Sequence, residues 1–313
     1  MSELNKQILF KKFEIISCYK KNEHSAVYLA NHIYLEKKVF LKVLNTKTIP
    51  DSSITERFKR EAKILAQLEH FNIIKVFDFG MFDEFFYISF EYFESKNLRE
   101  VLNSGKLTEE LKRNFLIQLV KGLNFAHQKN VIHRDIKPEN ILVNEKYELK
   151  LTDFGLAQDS IDSLVTQMYA VVGTPAYMSP EQIQGEKLTH KSDLFSLGII
   201  AIELFSGKNP FLGEDSNETI NNIISFDEGN VEELFSNLPE DINKIVKGLL
   251  AQNPNNRLNS CEDILEILNV EKEDVVVKEN DSNKKLWLTI ATVGIIFALL
   301  IAYYIFKPNN VTK

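Results

Sequence analysis

The stretch His133-Arg134-Asp135-Ile136-Lys137-Pro138-Glu139-Asn140 decides how the rest of the chain is interpreted. It places an aspartate and an asparagine five positions apart, with a lysine between them. A second acidic segment, Asp153-Phe154-Gly155, begins eighteen positions after that aspartate. Between the two segments lie an apolar triplet (141–143), a polar turn (144–146) and a second strand-like triplet (149–151). This order predicts a β-hairpin that brings the two acidic segments together.

Four side chains of these segments suit the transfer of a phosphoryl group. The carboxylate of Asp135 can accept a proton from a hydroxyl group. The oxygen atoms of Asn140 and Asp153 are hard ligands of the kind that Mg²⁺ prefers. Lys137 can neutralise a phosphoryl group during transfer, and catalysis of this reaction consists mostly of positioning and charge stabilisation.

The sequence HRDIKPEN followed by DFG at this spacing resembles the catalytic and metal-binding loops of Hanks-type serine/threonine protein kinases. The resemblance covers residues 13–268. It implies a two-lobed α+β fold, with a small β-rich N-lobe over about 13–92 and a large helical C-lobe over about 93–268. It also implies ATP as phosphoryl donor, Mg²⁺ (with Mn²⁺ as the alternative) as metal, and protein serine or threonine hydroxyls as acceptors. The form Ser179-Pro180-Glu181 resembles bacterial members.

The resemblance assigns the phosphate-binding lysine and its partner in the N-lobe. Residues 39–44 form an apolar strand pattern that contains Lys42, and a buried lysine requires a compensating partner. Lys42 resembles the lysine that binds the α- and β-phosphates. Glu61, on a helix predicted over 55–68, resembles its partner. The alternatives are an outward-facing Lys42 and a solvated Glu61.

The remaining nucleotide contacts follow from the same resemblance, with two departures. Val27 matches the hairpin that covers the nucleotide, backbone groups of Glu91 and Phe93 match the adenine-binding hinge, and Leu142 also belongs to this site.

The three positions where the family usually has glycine hold Lys20, Asn22 and Ser25, and Phe40 replaces the usual alanine that packs on adenine. We therefore expect the hairpin to cover the nucleotide less closely and ATP to bind more weakly.

The activation segment is predicted over 153–181. By resemblance, Thr174 bridges Asp135 and Lys137, and Thr166 is the autophosphorylation site; the alternative for Thr166 is an unmodified loop threonine. Arg134 lies beside the catalytic acid, and a phosphate on this segment would neutralise its positive charge.

Three further residues are assigned structural roles by the resemblance. Asp193 is expected to hold the backbone of the catalytic loop. Arg257 is expected to form a buried ion pair with Glu181.

The amino-acid composition limits the classes of partner that this chain is expected to bind. The 313 residues are 44% hydrophobic and 26% charged, as in an ordinary folded protein. A net charge of −7 without a long basic run makes nucleic acid a poor partner. Cys18 and Cys261 form neither a metal-binding spacing nor a disulfide framework, which is typical of a reducing cytosol.

The C-terminal part predicts a membrane anchor. Residues 271–285 form a polar linker, and the 21 residues 286–306 carry no charge. At about 1.5 Å per residue, such a helix spans the roughly 30 Å hydrocarbon core of a bilayer. We expect one transmembrane helix and a short tail, 307–313, with the ATP-dependent domain in the cytoplasm and no sensor domain across the membrane. A buried core helix is the alternative.

These patterns predict a membrane-anchored serine/threonine protein kinase that acts on protein substrates and autophosphorylates, with self-association in the membrane as a route to activation. The alternative is a non-catalytic, kinase-like scaffold or binding module, motivated by the missing glycines and Phe40. A third interpretation is a kinase-fold enzyme acting on small molecules, although residues 173–181 resemble a protein-substrate platform.

Overall fold

The computed structural model describes residues 7–48, 52–105, 107–154, 175–227 and 237–270. These residues belong to one compact unit, 1–270, whereas a second unit, 271–313, lies outside the described ranges. The predictions for Thr166, Thr174, the linker 271–285, the membrane segment 286–306 and the tail 307–313 therefore fall outside the described residues. Within the described ranges, no helix combines the length and apolar character that a membrane crossing requires.

The small lobe is built on a six-stranded sheet. Its strands are β1 Ile8–Leu9, β2 Phe13–Lys21, β3 Ser25–His32, β4 Lys37–Asn45, β5 Val76–Phe82 and β6 Phe85–Glu91. Their order is β1-β2-β3-β4-β6-β5, and each neighbouring pair is antiparallel. Helix α1, Ser52–Leu65, connects β4 to β5, and it begins and ends three residues before the predicted bounds.

The pleat of β4 separates two sets of side chains. Residues 39, 41 and 43 belong to an outer apolar cluster that includes Phe13. Because successive side chains of a strand point to opposite faces, Phe40 and Lys42 face the other side, where Leu44 joins the main core. Phe40 and Lys42 therefore lie together on the inner face of the small lobe.

The large lobe is helical. The helices among its described residues are α2 Leu98–Asn103, α3 Glu109–Gln128, α4 Pro180–Ile183, α5 His190–Ser206, α6 Ser216–Ile224, α7 Glu240–Leu249 and α8 Cys261–Ile267. Every residue of α5 from 192 to 204 is buried. The Thr189 side chain caps its first turn, and Gly207, with φ +80°, ends it in the left-handed conformation. Asp193 thus lies inside the first turn of α5, whose N-cap is Thr189.

A short sheet carries the two acidic segments. Its strands are β7 Lys96–Asn97, β8 Ile141–Val143 and β9 Leu149–Leu151, with β8 in the centre. Strands β8 and β9 pair antiparallel, with Ile141 opposite Leu151, and Thr152 N–H donates to the Asn140 carbonyl at 3.0 Å. This pairing confirms the predicted hairpin. The β-rich small lobe and the helical large lobe likewise confirm the predicted two-lobed α+β architecture.

Candidate active site

Asp135 is the centre of a hydrogen-bonded cluster. The Nζ atom of Lys137 lies 2.8 Å from Asp135 Oδ2. Asn140 Nδ2 donates to the same oxygen at 2.8 Å and to the Asp135 carbonyl at 2.9 Å. Because both partners are acceptors, the orientation of the amide is fixed, and Asn140 Oδ1 is directed elsewhere. The Asp135 side chain is 42% exposed, so a substrate hydroxyl can reach it.

The loop that carries Asp135 is held by Asp193 on α5. The Asp193 carboxylate accepts the backbone N–H groups of His133 and Arg134, each at 2.8 Å, and His127 Nε2 lies 2.8 Å from Oδ2. Burial alone would raise the pKa of Asp193, but the hydrogen bond and charge of His127 lower it below its ordinary value. The buried carboxylate therefore stays ionised and fixes two consecutive backbone groups of the loop.

His133 is fully buried and links the two acidic segments. Its ring centroid lies 4.4 Å from that of Phe154, and its Nε2 donates to the Thr152 carbonyl at 2.9 Å. Asp135 N–H lies 3.4 Å from Nδ1. Burial lowers the pKa of His133, so the ring is neutral and carries its proton on Nε2.

Each acidic segment also contains one residue whose backbone has the left-handed conformation. Arg134 has φ +70° and Asp153 has φ +57°. Such conformations are uncommon for non-glycine residues and cost on the order of 1–3 kcal/mol each. Strain of this kind clusters at functional sites, so these two positions support a functional role for both segments.

Lys42 connects the small lobe to the second acidic segment. Its Nζ lies 2.9 Å from each carboxylate oxygen of Glu61 and 3.4 Å from Asp153 Oδ1. Burial tends to lower the pKa of Lys42, but the two carboxylates raise it above its ordinary value, so the lysine stays cationic. The Glu61 side chain is only 1% exposed and is compensated by this charge. The structure therefore contradicts the outward alternative for Lys42 and the solvated alternative for Glu61.

The turn between β2 and β3 is built without glycine. Asn22 Oδ1 accepts the N–H groups of His24 at 3.0 Å and Ser25 at 2.6 Å, and Asn22 N–H donates to the Ser25 carbonyl at 2.8 Å. None of Lys20, Asn22 and Ser25 is among the described residues with positive φ. The Asn22 side chain thus stabilises the turn in the manner of an Asx-turn. Val27, just after the turn, lies opposite Lys42 in the sheet register.

A buried lysine that the sequence analysis missed lies at the hinge. Lys150, on β9, is 9% exposed, and its Nζ is 2.9 Å from Glu91 Oε1 and 2.9 Å from the Phe71 carbonyl. Its Nζ also lies 5.5 Å from the ring centroid of Phe93. One cation therefore contacts both predicted hinge residues. Leu142, half-buried on β8, lies opposite Lys150. The sequence contained a signal for this contact, because a lysine between two leucines of a short strand requires a compensating polar or charged partner, as Lys42 does.

Glu181 and Arg257 form a buried ion pair. Two parallel contacts of 2.8 Å join the guanidinium to the carboxylate, and the side chains of Arg257 and Glu181 are 0% and 4% exposed. Ser192 Oγ donates to Glu181 Oε1 at 2.8 Å. Burial opposes ionisation of Glu181, but the contacts with Arg257 lower its pKa below the ordinary value.

A second charged cluster was also missed. Arg99 on α2 contacts Glu203 on α5 and the Tyr177 hydroxyl, and it lies 3.1 Å from Glu139 of the catalytic loop. These residues come from four separate parts of the sequence, so no local pattern could have found the cluster.

The donor set fits a divalent metal that arrives with a nucleotide. Among the described residues, no group of three or more His, Cys, Asp or Glu side chains is arranged to hold a metal ion. The oxygen donors are Asn140 Oδ1 and the Asp153 carboxylate, whose side chain is 44% exposed. Mg²⁺ typically uses one or two protein carboxylates and takes its other ligands from water and substrate phosphates.

Comparison with known proteins gives a consistent result. The chain matches the protein kinase domain family over residues 22–311. It is 33% identical over 254 residues to the serine/threonine-protein kinase PrkC of Bacillus subtilis, covering 81% of this chain and 39% of that protein. It is 34% identical over 243 residues to the serine/threonine-protein kinase PknB of Mycobacterium leprae, covering 76% of this chain and 39% of that protein. The chain thus spans about two fifths of the length of these curated relatives.

The family match includes the loop of Asp135, the Lys42–Glu61 pair and the Glu181–Arg257 pair, all within the matched residues. Together with the two-lobed architecture, this match shows that the chain belongs to the protein kinase domain family.

Proposed function

We propose that this chain is an ATP-dependent serine/threonine protein kinase. The observation that carries the proposal is the joined arrangement in which Lys42 contacts Glu61 and Asp153, while Asp135 contacts Lys137 and Asn140. The names of PrkC and PknB support the same activity. A non-catalytic scaffold has no need of this complete set, so the enzyme is favoured over the scaffold.

Asp135 and Lys137 act on the two reacting groups. Asp135 orients the acceptor hydroxyl and takes its proton, and Lys137, 2.8 Å away, stabilises the negative charge of the transferring phosphoryl group. Lys42 holds the α- and β-phosphates, and Glu61 keeps Lys42 in place. The binding site is preorganised by these contacts.

Asn140 and Asp153 would hold the divalent ion, Mg²⁺ or alternatively Mn²⁺. When bound, the ion supplies positive charge to the phosphate oxygens. Val27 would cover the nucleotide, Glu91 and Phe93 would bind its base through their backbones, and Leu142 would pack against it.

Serine and threonine side chains of proteins are the proposed acceptors. Lys137 and Thr174, the latter outside the described residues, favour these over tyrosine. Thr166 is the proposed autophosphorylation site. In support, Arg134 lies beside Asp135, and a guanidinium at this position can bind a phosphate carried by the activation segment.

Phosphoryl transfer from γ-labelled ATP to a generic protein substrate tests the proposal. The full chain in detergent micelles is compared with Asp153→Asn and with Glu145→Gln, a control on an exposed turn. We expect label on phosphoserine and phosphothreonine, background levels for Asp153→Asn, and full activity for the control. Label on phosphotyrosine alone would contradict the acceptor assignment. Undiminished phosphoryl transfer by Asp153→Asn would contradict the assignment of Asp153 to the metal-binding site.

We further propose that residues 286–306 anchor the chain in a membrane, with the kinase domain in the cytoplasm. The support is the run of 21 uncharged residues. Lysines at Ile295 and Ile296 would each cost about 2.5–3.5 kcal/mol at the centre of a bilayer. We expect the full chain to resist carbonate extraction from membranes and Ile295→Lys/Ile296→Lys to be released. Release of the unmodified chain would refute the anchor.

A further inference from the structure

Three aromatic side chains meet at one end of the cleft. They are Tyr19 on β2, Phe40 on β4 and Tyr92, which directly follows β6. The ring centroid of Phe40 lies 5.1 Å from that of Tyr19, with the planes at 74°, and 5.5 Å from that of Tyr92, with the planes at 36°. Both separations lie in the range of favourable aromatic pairs. Phe40 therefore joins the strand that leads into the covering turn to the connection between the lobes.

The register of the sheet places this cluster at the base-binding end. Lys42 lies opposite Ile88, whereas Phe40 lies opposite Phe90, one residue before the hinge residue Glu91. Phe40 and Lys42 share a face and lie about 6.6 Å apart along the strand. Since Lys42 contacts Asp153 and marks the phosphate end, Phe40 marks the end where the base would lie.

The members of the cluster differ in how firmly they are held. Phe40 is half-buried and packs against the main core. Tyr92 has Lys38 Nζ 5.4 Å from its ring centroid, within cation–π distance. Tyr19 is 63% exposed, and Phe40 is the ring that it contacts. Tyr19 is therefore the ring that can swing away at least cost.

We propose that Tyr19, Phe40 and Tyr92 form an aromatic lid that closes the base end of the cleft, and that a purine nucleotide binds only when this lid opens. The inference rests on the proposed function, because it takes a nucleotide as the ligand. The apparent affinity of a site falls in proportion to the fraction of molecules that are in the binding-competent state. The closed lid therefore weakens nucleotide binding, and removal of the Phe40 ring breaks both ring contacts at once.

Equilibrium binding tests the lid without relying on catalysis. The full chain and its variants are titrated calorimetrically with MgATP and with magnesium tripolyphosphate, which has the phosphates but no base. The variants are Phe40→Ala, Tyr19→Ala and Tyr34→Ala, the last being a control that removes a 71% exposed aromatic side chain from the turn between β3 and β4. We expect the Kd for MgATP to fall about 5- to 10-fold in Phe40→Ala and by less in Tyr19→Ala. Tyr34→Ala should leave this Kd unchanged, and every variant should bind tripolyphosphate like the parent.

The outcomes separate the lid from the proposed function. A Kd for MgATP that rises or stays the same in Phe40→Ala overturns the lid; a rise would mean that Phe40 stacks on the base. An equal change for tripolyphosphate also overturns it, because the effect would not lie at the base end. If Phe40→Ala fails to fold, Tyr19→Ala decides alone, since an exposed side chain can be removed without loss of the core. Failure of every protein to bind nucleotide would overturn both proposals, whereas transfer activity with an unchanged Kd would overturn the lid alone.

Discussion

Among single residues, Asp193 determines most directly where Asp135 lies. Its two oxygens accept consecutive N–H groups of the catalytic loop, so Asp193→Asn would direct an amide NH₂ at a backbone N–H. We expect the free energy of unfolding to fall by about 1–3 kcal/mol and kcat to fall more than KM rises. Urea denaturation and steady-state kinetics measure both, with Glu145→Gln as the control. Unchanged kcat in a folded Asp193→Asn variant would contradict this positioning role.

His133 predicts a pH dependence of stability. Burial lowers its pKa in the folded protein below the ordinary 6.5. As pH falls below about 6.5, the unfolded chain binds a proton that the folded chain does not, so the free energy of unfolding falls, by at most about 1.4 kcal/mol per pH unit. His133→Gln, whose Nε2 can still donate to Thr152, should flatten this slope between pH 7 and 5, measured by urea denaturation. His190→Gln, at a half-buried surface position, should not. Equal slopes in the parent and in His133→Gln would show that His133 does not carry the effect.

The sequence predicted residues whose partners lie in recognisable motifs. Glu61 as partner of Lys42 and the roles of Asp193 and Arg257 followed from the resemblance, and the corresponding contacts are present. The contacts of Lys150 were not foreseen, because its partners Phe71 and Glu91 come from other parts of the chain. The substitution at Phe40 was visible in the sequence, but its contacts with Tyr19 on β2 and with Tyr92 just after β6 required the fold.

At the scale of elements, the Glu181–Arg257 pair joins α4 to the turn before α8. Removal of one partner leaves a buried charge without compensation, which typically costs about 3–5 kcal/mol. We expect Arg257→Met and Glu181→Met each to destabilise strongly, and the double variant to lose less than the sum. Urea denaturation of the four proteins measures this coupling. The Lys75–Glu69 pair, in which both residues are exposed, is the control; changed to Met and Gln, it should show no measurable change. Additive losses in the double variant would contradict a coupled pair.

Helices and strands were predictable where the apolar periodicity and the turn residues agreed. The residues at which they begin and end were not predictable in this way. The β8–β9 hairpin followed from two triplets around a polar turn. Helix α1 was predicted to reach Leu68 because that residue continues the apolar spacing; it is 2% exposed and lies beyond the last helical residue, Leu65. Helix α5 begins at His190 because the Thr189 side chain caps its first turn. Apolar periodicity reports which side is buried, and caps decide where a helix stops.

For the molecule as a whole, two lysines connect functional parts of the lobes. Lys42 joins α1 to Asp153, and Lys150 joins β9 to the hinge. Under the proposed function Lys42 would hold the phosphates, and Lys150 joins the strand that leads to Asp153 to Glu91. The order of motifs along the chain was sufficient to predict the two lobes, since each motif belongs to a particular element of the resembled fold. The lid could not be predicted in this way, because it depends on contacts between Phe40 and two rings that lie far from it in the sequence, Tyr19 on β2 and Tyr92 just after β6.

In the proposed function, Asp135 is the residue that accepts the proton of the acceptor hydroxyl. The most direct test is autophosphorylation of the full chain in detergent micelles with MgATP, compared with Asp135→Asn and mapped by mass spectrometry. We expect phosphate on serine or threonine, including Thr166, and a rate about 10²- to 10⁴-fold lower in Asp135→Asn. Phosphorylation at an undiminished rate in a folded Asp135→Asn variant would contradict the catalytic role of Asp135.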